Sequence, residues 1–188
     1  MLVRGIPVER YGEDDAARVY FGLGLHIGRP VSQNAQGDLL GHVLDEGLPG
    51  TNQPGVRFYR TRQRQEFHTD GADVIGLLCL RTAKSGGTSR IASSLAIFDE
   101  IRRRRPDLID ALDLIESIAN DPAFHLDMAF EPGDLQWLNN AAILHSREAY
   151  EDWLEPERKR HLLRLSLSAH DFASVDDQLR SGLPAKAG

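Results

Sequence analysis

The stretch Phe67-His68-Thr69-Asp70-Gly71-Ala72-Asp73-Val74-Ile75-Gly76-Leu77-Leu78-Cys79-Leu80-Arg81 joins a histidine–carboxylate pair to an apolar run. If Phe67 to Gly71 is extended, successive side chains point to opposite faces, so His68 and Asp70 project together and Thr69 projects away. The pair then offers two ligands for one metal ion. A distant histidine would complete a 2-His-1-carboxylate set, which holds non-haem Fe(II) by one face and leaves positions open on the other. His145, in Leu144-His145-Ser146-Arg147, is the candidate. An H-x-D pair also recurs by chance, and a histidine on an apolar strand serves equally as a core or surface residue, so its weight comes from its surroundings.

Outward from this stretch the chain reads mainly as β structure. Leu2–Pro7, Val56–Arg60, Val74–Arg81, Thr88–Ser94, Phe124–Phe130, Asp134–Leu138, Ala142–His145 and His161–Ser168 are strand candidates. Phe124-His125-Leu126-Asp127-Met128-Ala129-Phe130 alternates as a half-buried strand does, and Glu131-Pro132-Gly133-Asp134 is a turn. Helices are expected over Glu13–Gly24, Leu95–Arg104 and Leu108–Ile118. Many short strands separated by turn signals predict a mainly β fold with flanking helices, of the jelly-roll kind.

A chain of 188 residues fits a single domain, and 41% hydrophobic with 27% charged residues is ordinary for a globular protein. The formal net charge of -6 argues against a nucleic-acid surface. The basic run Arg102–Arg105 reads as a solvated helix end favoured by the helix dipole. The single cysteine, Cys79, has no internal disulfide partner and reads as a small core residue. No stretch has the length of a membrane helix or a signal-peptide core, so no membrane partner is expected and the default location is the cytoplasm.

Two further features bear on the candidate site. Ser85-Gly86-Gly87-Thr88-Ser89 sets hydroxyl groups after a glycine turn, a pattern that turn chemistry alone also produces. Arg158-Lys159-Arg160-His161-Leu162-Leu163-Arg164-Leu165-Ser166-Leu167 places Arg160, Leu162 and Arg164 on one face of a strand and Leu163, Leu165 and Leu167 on the other. Arginines facing a barrel interior need anionic partners, whereas outward ones do not. Parity alone leaves open which face is inside. His26, His42, His125, His161 and His170 lack a partner motif and read as structural or surface residues; Arg147 reaches either the site or a nearby carboxylate.

Taken together, F-H-T-D-G-A-D-V-I-G-L-L-C-L-R, S-G-G-T-S-R-I-A-S-S, P-G-D-L-Q-W-L-N-N, L-H-S-R and R-K-R-H-L-L-R-L resemble the taurine dioxygenase-like (TauD/TfdA) branch of the Fe(II)/2-oxoglutarate-dependent oxygenases. The resemblance covers Leu2 to about Leu167 and includes G-R-P-V-S-Q-N-A-Q-G-D. It implies a double-stranded β-helix, a cupin-like barrel, with Fe(II) held by His68, Asp70 and His145. It implies 2-oxoglutarate as cosubstrate with O2, its distal carboxylate on Arg160 with Thr88 as hydroxyl partner, and Arg164 available to an anionic substrate group. The roles of Arg160 and Arg164 are interchangeable at this stage. By the same resemblance Gln33, Asn34 and Tyr59 line the pocket and Asn139 supports it.

The implied activity is hydroxylation of a small, anionic organic substrate with release of succinate and CO2. The alternative is a shortened non-catalytic metal-binding barrel, and a redox-inert metal enzyme fits the ligands alone. Compared with the family pattern, residues 1–188 form a single oxygenase domain lacking a segment before Leu2 and an insertion near 112–120, and Ala141 stands where relatives often carry histidine. Homo-oligomerisation stays open.

Overall fold

A computed structural model describes residues 1–34, 36–48, 58–106 and 112–169, the side chains of 112 and 113 excepted. The elements are β1 (Leu2–Val3), α1 (Glu13–Leu25), β2 (Gly28–Pro30), β3 (Leu40–Val43), β4 (Gln65–His68), β5 (Val74–Arg81), β6 (Ser85–Gly86) and β7 (Ser89–Ser93). They continue with α2 (Ser94–Arg104), α3 (Leu112–Ala119), β8 (His125–Met128), β9 (Leu135–Asn139), β10 (Ile143–Arg147), β11 (Tyr150–Glu151) and β12 (His161–Ala169). One sheet has the order β1-β9-β5-β12-β2, with β3 also paired to β12. A second has the order β4-β10-β7-β8, and β6 pairs with β11. Every pairing is antiparallel, and most join strands distant in sequence, as in a jelly roll.

The larger sheet is covered on both faces, which explains the unbroken apolar run of β5. Leu78 and Leu80 pack with Leu163, Leu165, Leu167, Trp137 and the α1 residue Tyr20. Cys79 and Leu162 point to the other face, against Val43. The open question of β12 is thereby decided: the Leu163 face meets α1, and Arg160, Leu162 and Arg164 look into the barrel. Gly76 is required by close approach. A Cβ there would lie 2.2 Å from Trp137 and 2.5 Å from the Tyr20 hydroxyl, whose rings stack at 5.4 Å.

The outer face of the smaller sheet is covered by α2 and α3, through Ala92, Ile97, Ile101, Ile118 and Ala119. Ser93 starts α2 by accepting the Ala96 backbone N–H at 3.3 Å, one of the donors a helix start leaves unpaired. At the other end Arg102, Arg103 and Arg104 are exposed and pair with Asp99 and Glu100, as expected of a solvated helix terminus. No helix among the described residues is long and apolar enough to cross a membrane.

Several local expectations are corrected. Residues 58–60 form a 3-10 turn instead of a strand, closed by the Thr61 hydroxyl donating to the Phe58 carbonyl at 3.0 Å; 56–57 lie outside the described residues. The first strand stops at Val3, and the third helix is described from Leu112 to Ala119. The alternation of 124–130 misleads at an edge strand: Leu126 is 57% exposed, while the His125 side chain is buried beside Phe67. His170 lies outside the described residues.

Candidate active site

The β4–β10 ladder brings His68 opposite His145 as Cα partners, with ring centroids 4.2 Å apart. The strand ends at His68, so Asp70 reaches the site from the following loop and not by strand pleat. Its Oδ2 lies 3.6 Å from His145 Nε2, and one ligand atom from each of the three residues falls within 4.8 Å of the others.

Protonation in this cluster suits cation binding. His68 Nδ1 lies 2.8 Å from the Glu66 carbonyl, which only accepts, so Nδ1 carries the proton and Nε2 keeps its lone pair. That lone pair faces the Gln65 carboxamide nitrogen at 2.9 Å. Burial, then the neighbouring His68, pushes His145 down to about 4 against the opposing pull of Asp70. His145 is therefore neutral near pH 7, the form that ligates metal. Two imidazoles and one carboxylate converging from one side fit a 2-His-1-carboxylate Fe(II) centre.

The cavity beside this cluster is lined by Tyr59, Ser89, Arg147, Arg160, Leu162 and Arg164, together with the three candidate ligands. A wider mouth shares His68, Asp70, Tyr59 and Arg164 with it and adds Gln33, Asn34 and Thr69. Arg164 is held in place: its Nε donates to Gln33 Oε1 at 2.8 Å and its guanidinium lies 4.5 Å over the Tyr59 ring. Among the described residues no carboxylate pairs with it.

Arg160 is buried deeper, with burial lowering its affinity for its proton, and its Nη1 has no partner among the described residues. Gly87 makes room for it. At φ +72° a glycine is at home, and a Cβ would stand 3.2 Å from Arg160 Nε. An unpaired buried guanidinium N–H fits a ligand carboxylate.

One expected placement differs here, and one open alternative is decided. Thr88 is not in the cavity wall, whereas Ser89 is. Ser89 pairs with Arg147 across β7 and β10, on the parity of Ile91 and His145, while Thr88 shares the parity of Arg90 and Ala92, and Ala92 packs outward among the helices. Arg147 also lies in the wall; its Nη2 donates to the carbonyls of Thr61 at 2.9 Å, Phe58 at 3.3 Å and Gln63. The signal for both was the two-residue step from His145 to Arg147, which matches the step from Ile91 to Ser89. Gln65, which faces His68, had no sequence signal.

Glu13, His42 and His161 form a second group of converging donor atoms. Arg81 Nη2 lies 2.9 Å from His161 Nδ1, and since a guanidinium only donates, Nδ1 accepts and Nε2 carries the proton toward His42 Nδ1 at 2.8 Å. This is a satisfied hydrogen-bond chain and leaves no lone pair on His161 for a metal.

The family described as "Taurine catabolism dioxygenase TauD, TfdA family" matches residues 1–114 and 105–166. The chain is 26% identical to the FR-33289 synthase of Streptomyces rubellomurinus, covering 99% of this chain and 74% of that protein. The matched span there is 252 residues, longer than this chain, so the relative carries internal residues with no counterpart here. Asparagine oxygenase, solved with Fe(II), a hydroxyasparagine and succinate, shares the fold at a TM-score of 0.61 and 15% identity, over 80% of this chain and 64% of that one. PvcB, an Fe, alpha-ketoglutarate dependent oxygenase, shares it at a TM-score of 0.57 and 16% identity, over 89% of this chain and 75% of that one. With the family matched along nearly all of the described residues, the chain belongs to the TauD/TfdA family of Fe(II)/2-oxoglutarate-dependent dioxygenases.

Proposed function

We propose that this chain oxidises a small anionic molecule at the barrel mouth, using Fe(II) held by His68, Asp70 and His145 and 2-oxoglutarate held by Arg160. One juxtaposition supports this reading: three converging ligand atoms beside a cavity whose wall contains the buried Arg160 guanidinium, its Nη1 without a partner among the described residues. When bound, iron and 2-oxoglutarate supply the oxidant from O2, the keto acid leaving as succinate and CO2.

Asp70 contributes the one negative charge of the ligand set, and the Glu66 carbonyl keeps His68 in the ligating tautomer. Arg160 orients the distal carboxylate of 2-oxoglutarate by charge-assisted hydrogen bonds, with Ser89 in place of Thr88 as the hydroxyl in the wall. Arg164, steadied by Gln33 and Tyr59 in the mouth, receives the anionic group of the substrate. A metal barrel that only binds is the less favoured reading, because it gives the buried arginines no task.

The test is an anaerobic titration with Fe(II) and 2-oxoglutarate followed by visible absorbance, then measurement of succinate under O2. Arg160→Lys should weaken 2-oxoglutarate binding while iron affinity holds, and Arg164→Lys should leave both nearly intact. Loss of 2-oxoglutarate from the Arg164 variant alone would exchange the two roles. No chelation by the unaltered protein would overturn the function.

A further inference from the structure

We propose that Arg147 is a second binding residue for the distal carboxylate of 2-oxoglutarate, which is received between two guanidiniums, Arg147 and Arg160. The inference rests on the cosubstrate reading above and deepens it.

Arg147 is 6% exposed and Arg160 5% exposed. Arg147 Nε and Nη1 and Arg160 Nη1 are buried with no hydrogen-bond partner among the described residues, and no carboxylate there forms an ion pair with either guanidinium. Buried donors are rarely left unpaired, since each forfeits its hydrogen bonds to water. Asp152, the nearest buried acid in sequence, spends Oδ1 on the backbone N–H groups of Arg160 and Trp153, and its Oδ2 makes no hydrogen bond to either guanidinium.

The two like charges are held together by one aromatic ring. Each guanidinium carbon lies 5.1 Å from the Tyr150 centroid, within cation–π range. Buried side by side with no carboxylate paired to either among the described residues, the two guanidiniums repel each other. An anion set between them removes that repulsion and pairs the idle N–H groups.

Arg147 is also fixed in position. Its Nη2 spans three carbonyls of the 58–63 turn, which stops the side chain from swinging to solvent. Those contacts use one of its three nitrogens and leave the other two. Ser89, its partner across the ladder, lies in the same cavity wall. The candidate iron ligands line the same cavity, so a keto acid held there and carrying a second carboxylate would share that cavity with this pair.

The test compares 2-oxoglutarate with 2-oxovalerate, which has the same keto-acid end and a methyl group in place of the distal carboxylate. Both are titrated calorimetrically into Mn(II)-loaded protein without O2. In Arg147→Met, 2-oxoglutarate affinity should fall roughly tenfold or more, the scale of one charge-assisted hydrogen bond, while 2-oxovalerate affinity stays within about twofold. Arg147→Lys, which keeps the charge with fewer directed donors, should fall between and carries the test if the methionine variant unfolds. A merely structural role would weaken both acids alike, and that outcome, or no change, overturns the proposal. If Arg160→Met alone abolishes the preference for 2-oxoglutarate, the second guanidinium is dismissed and the oxygenase reading stands. If the unaltered protein shows no preference at all, the oxygenase reading itself fails.

Discussion

His145 stands directly opposite His68 in the β4–β10 ladder, so two residues far apart in sequence become neighbours through a single backbone register. A one-residue slip of that ladder would turn one ring to the helix-covered outer face, where Ala92 packs. The register of the smaller sheet is thus also the geometry of the candidate metal centre.

Asp70 is the only anionic member of that centre and sits in a loop, partly exposed. Asp70→Ala should lower Fe(II) affinity by about a hundredfold or more, beyond the loss seen when residues that merely support metal ligands are removed. Thermal stability without metal should change by less than about 1 kcal/mol, as for other exposed substitutions. Metal content after anaerobic loading and dialysis measures the first, and a melting curve the second. Unchanged iron loading would remove Asp70 from the site.

Ser89 and Thr88 make a paired comparison, because adjacent residues of an extended segment face opposite ways. Ser89→Ala should raise the 2-oxoglutarate dissociation constant roughly tenfold, matching one hydrogen bond to a charged group of about 1.5 kcal/mol. Thr88→Ala should leave it nearly unchanged. Anaerobic titration of both variants decides between the neighbours, and the reverse pattern would restore Thr88.

Gly76→Ala should destabilise the protein by about 1–3 kcal/mol or more through overpacking, since the added methyl meets the stacked rings of Trp137 and Tyr20. The readout is the denaturant midpoint. A smaller residue at 137, in Gly76→Ala/Trp137→Phe, should recover part of the loss; no recovery would mean that the clash is not with that ring.

Acid should weaken the fold through His161. Burial, aided by the adjacent Arg81 and His42 and opposed by Glu13, lowers its pKa from 6.5 to about 4. The unfolded chain therefore takes up a proton near pH 6.5 that the folded chain refuses until about pH 4. Stability contributed by neutral His161 is complete above pH 6.5, falls as pH drops through that window, and levels off below it. The ceiling is about 3 kcal/mol, from 1.36 kcal/mol for each pH unit. His161→Gln should flatten that part of the stability–pH curve, and an unchanged slope would assign the acid sensitivity to other groups.

Spacing alone made much of this protein legible. The H-x-D pair, the second histidine in L-H-S-R and the pair Arg160/Arg164 are local patterns, as is the apolar run of β5, and the resemblance to the dioxygenase family follows from their order along the chain. Periodicity states which residues share a face, because pleat and helical turn are properties of the local backbone. It does not state which face is inside.

That choice belonged to the tertiary structure. The Leu163 face of β12 packs with Tyr20 and Trp137, which leaves Arg160 and Arg164 facing the barrel. Ser89 and not Thr88 lines the cavity because strand pairing with Arg147 set the parity, and Asp70 arrived by a loop where a strand was expected. Arg147 gained meaning only when the 58–63 carbonyls and Tyr150 closed around it, since contacts between residues so distant in sequence depend on how the two sheets meet.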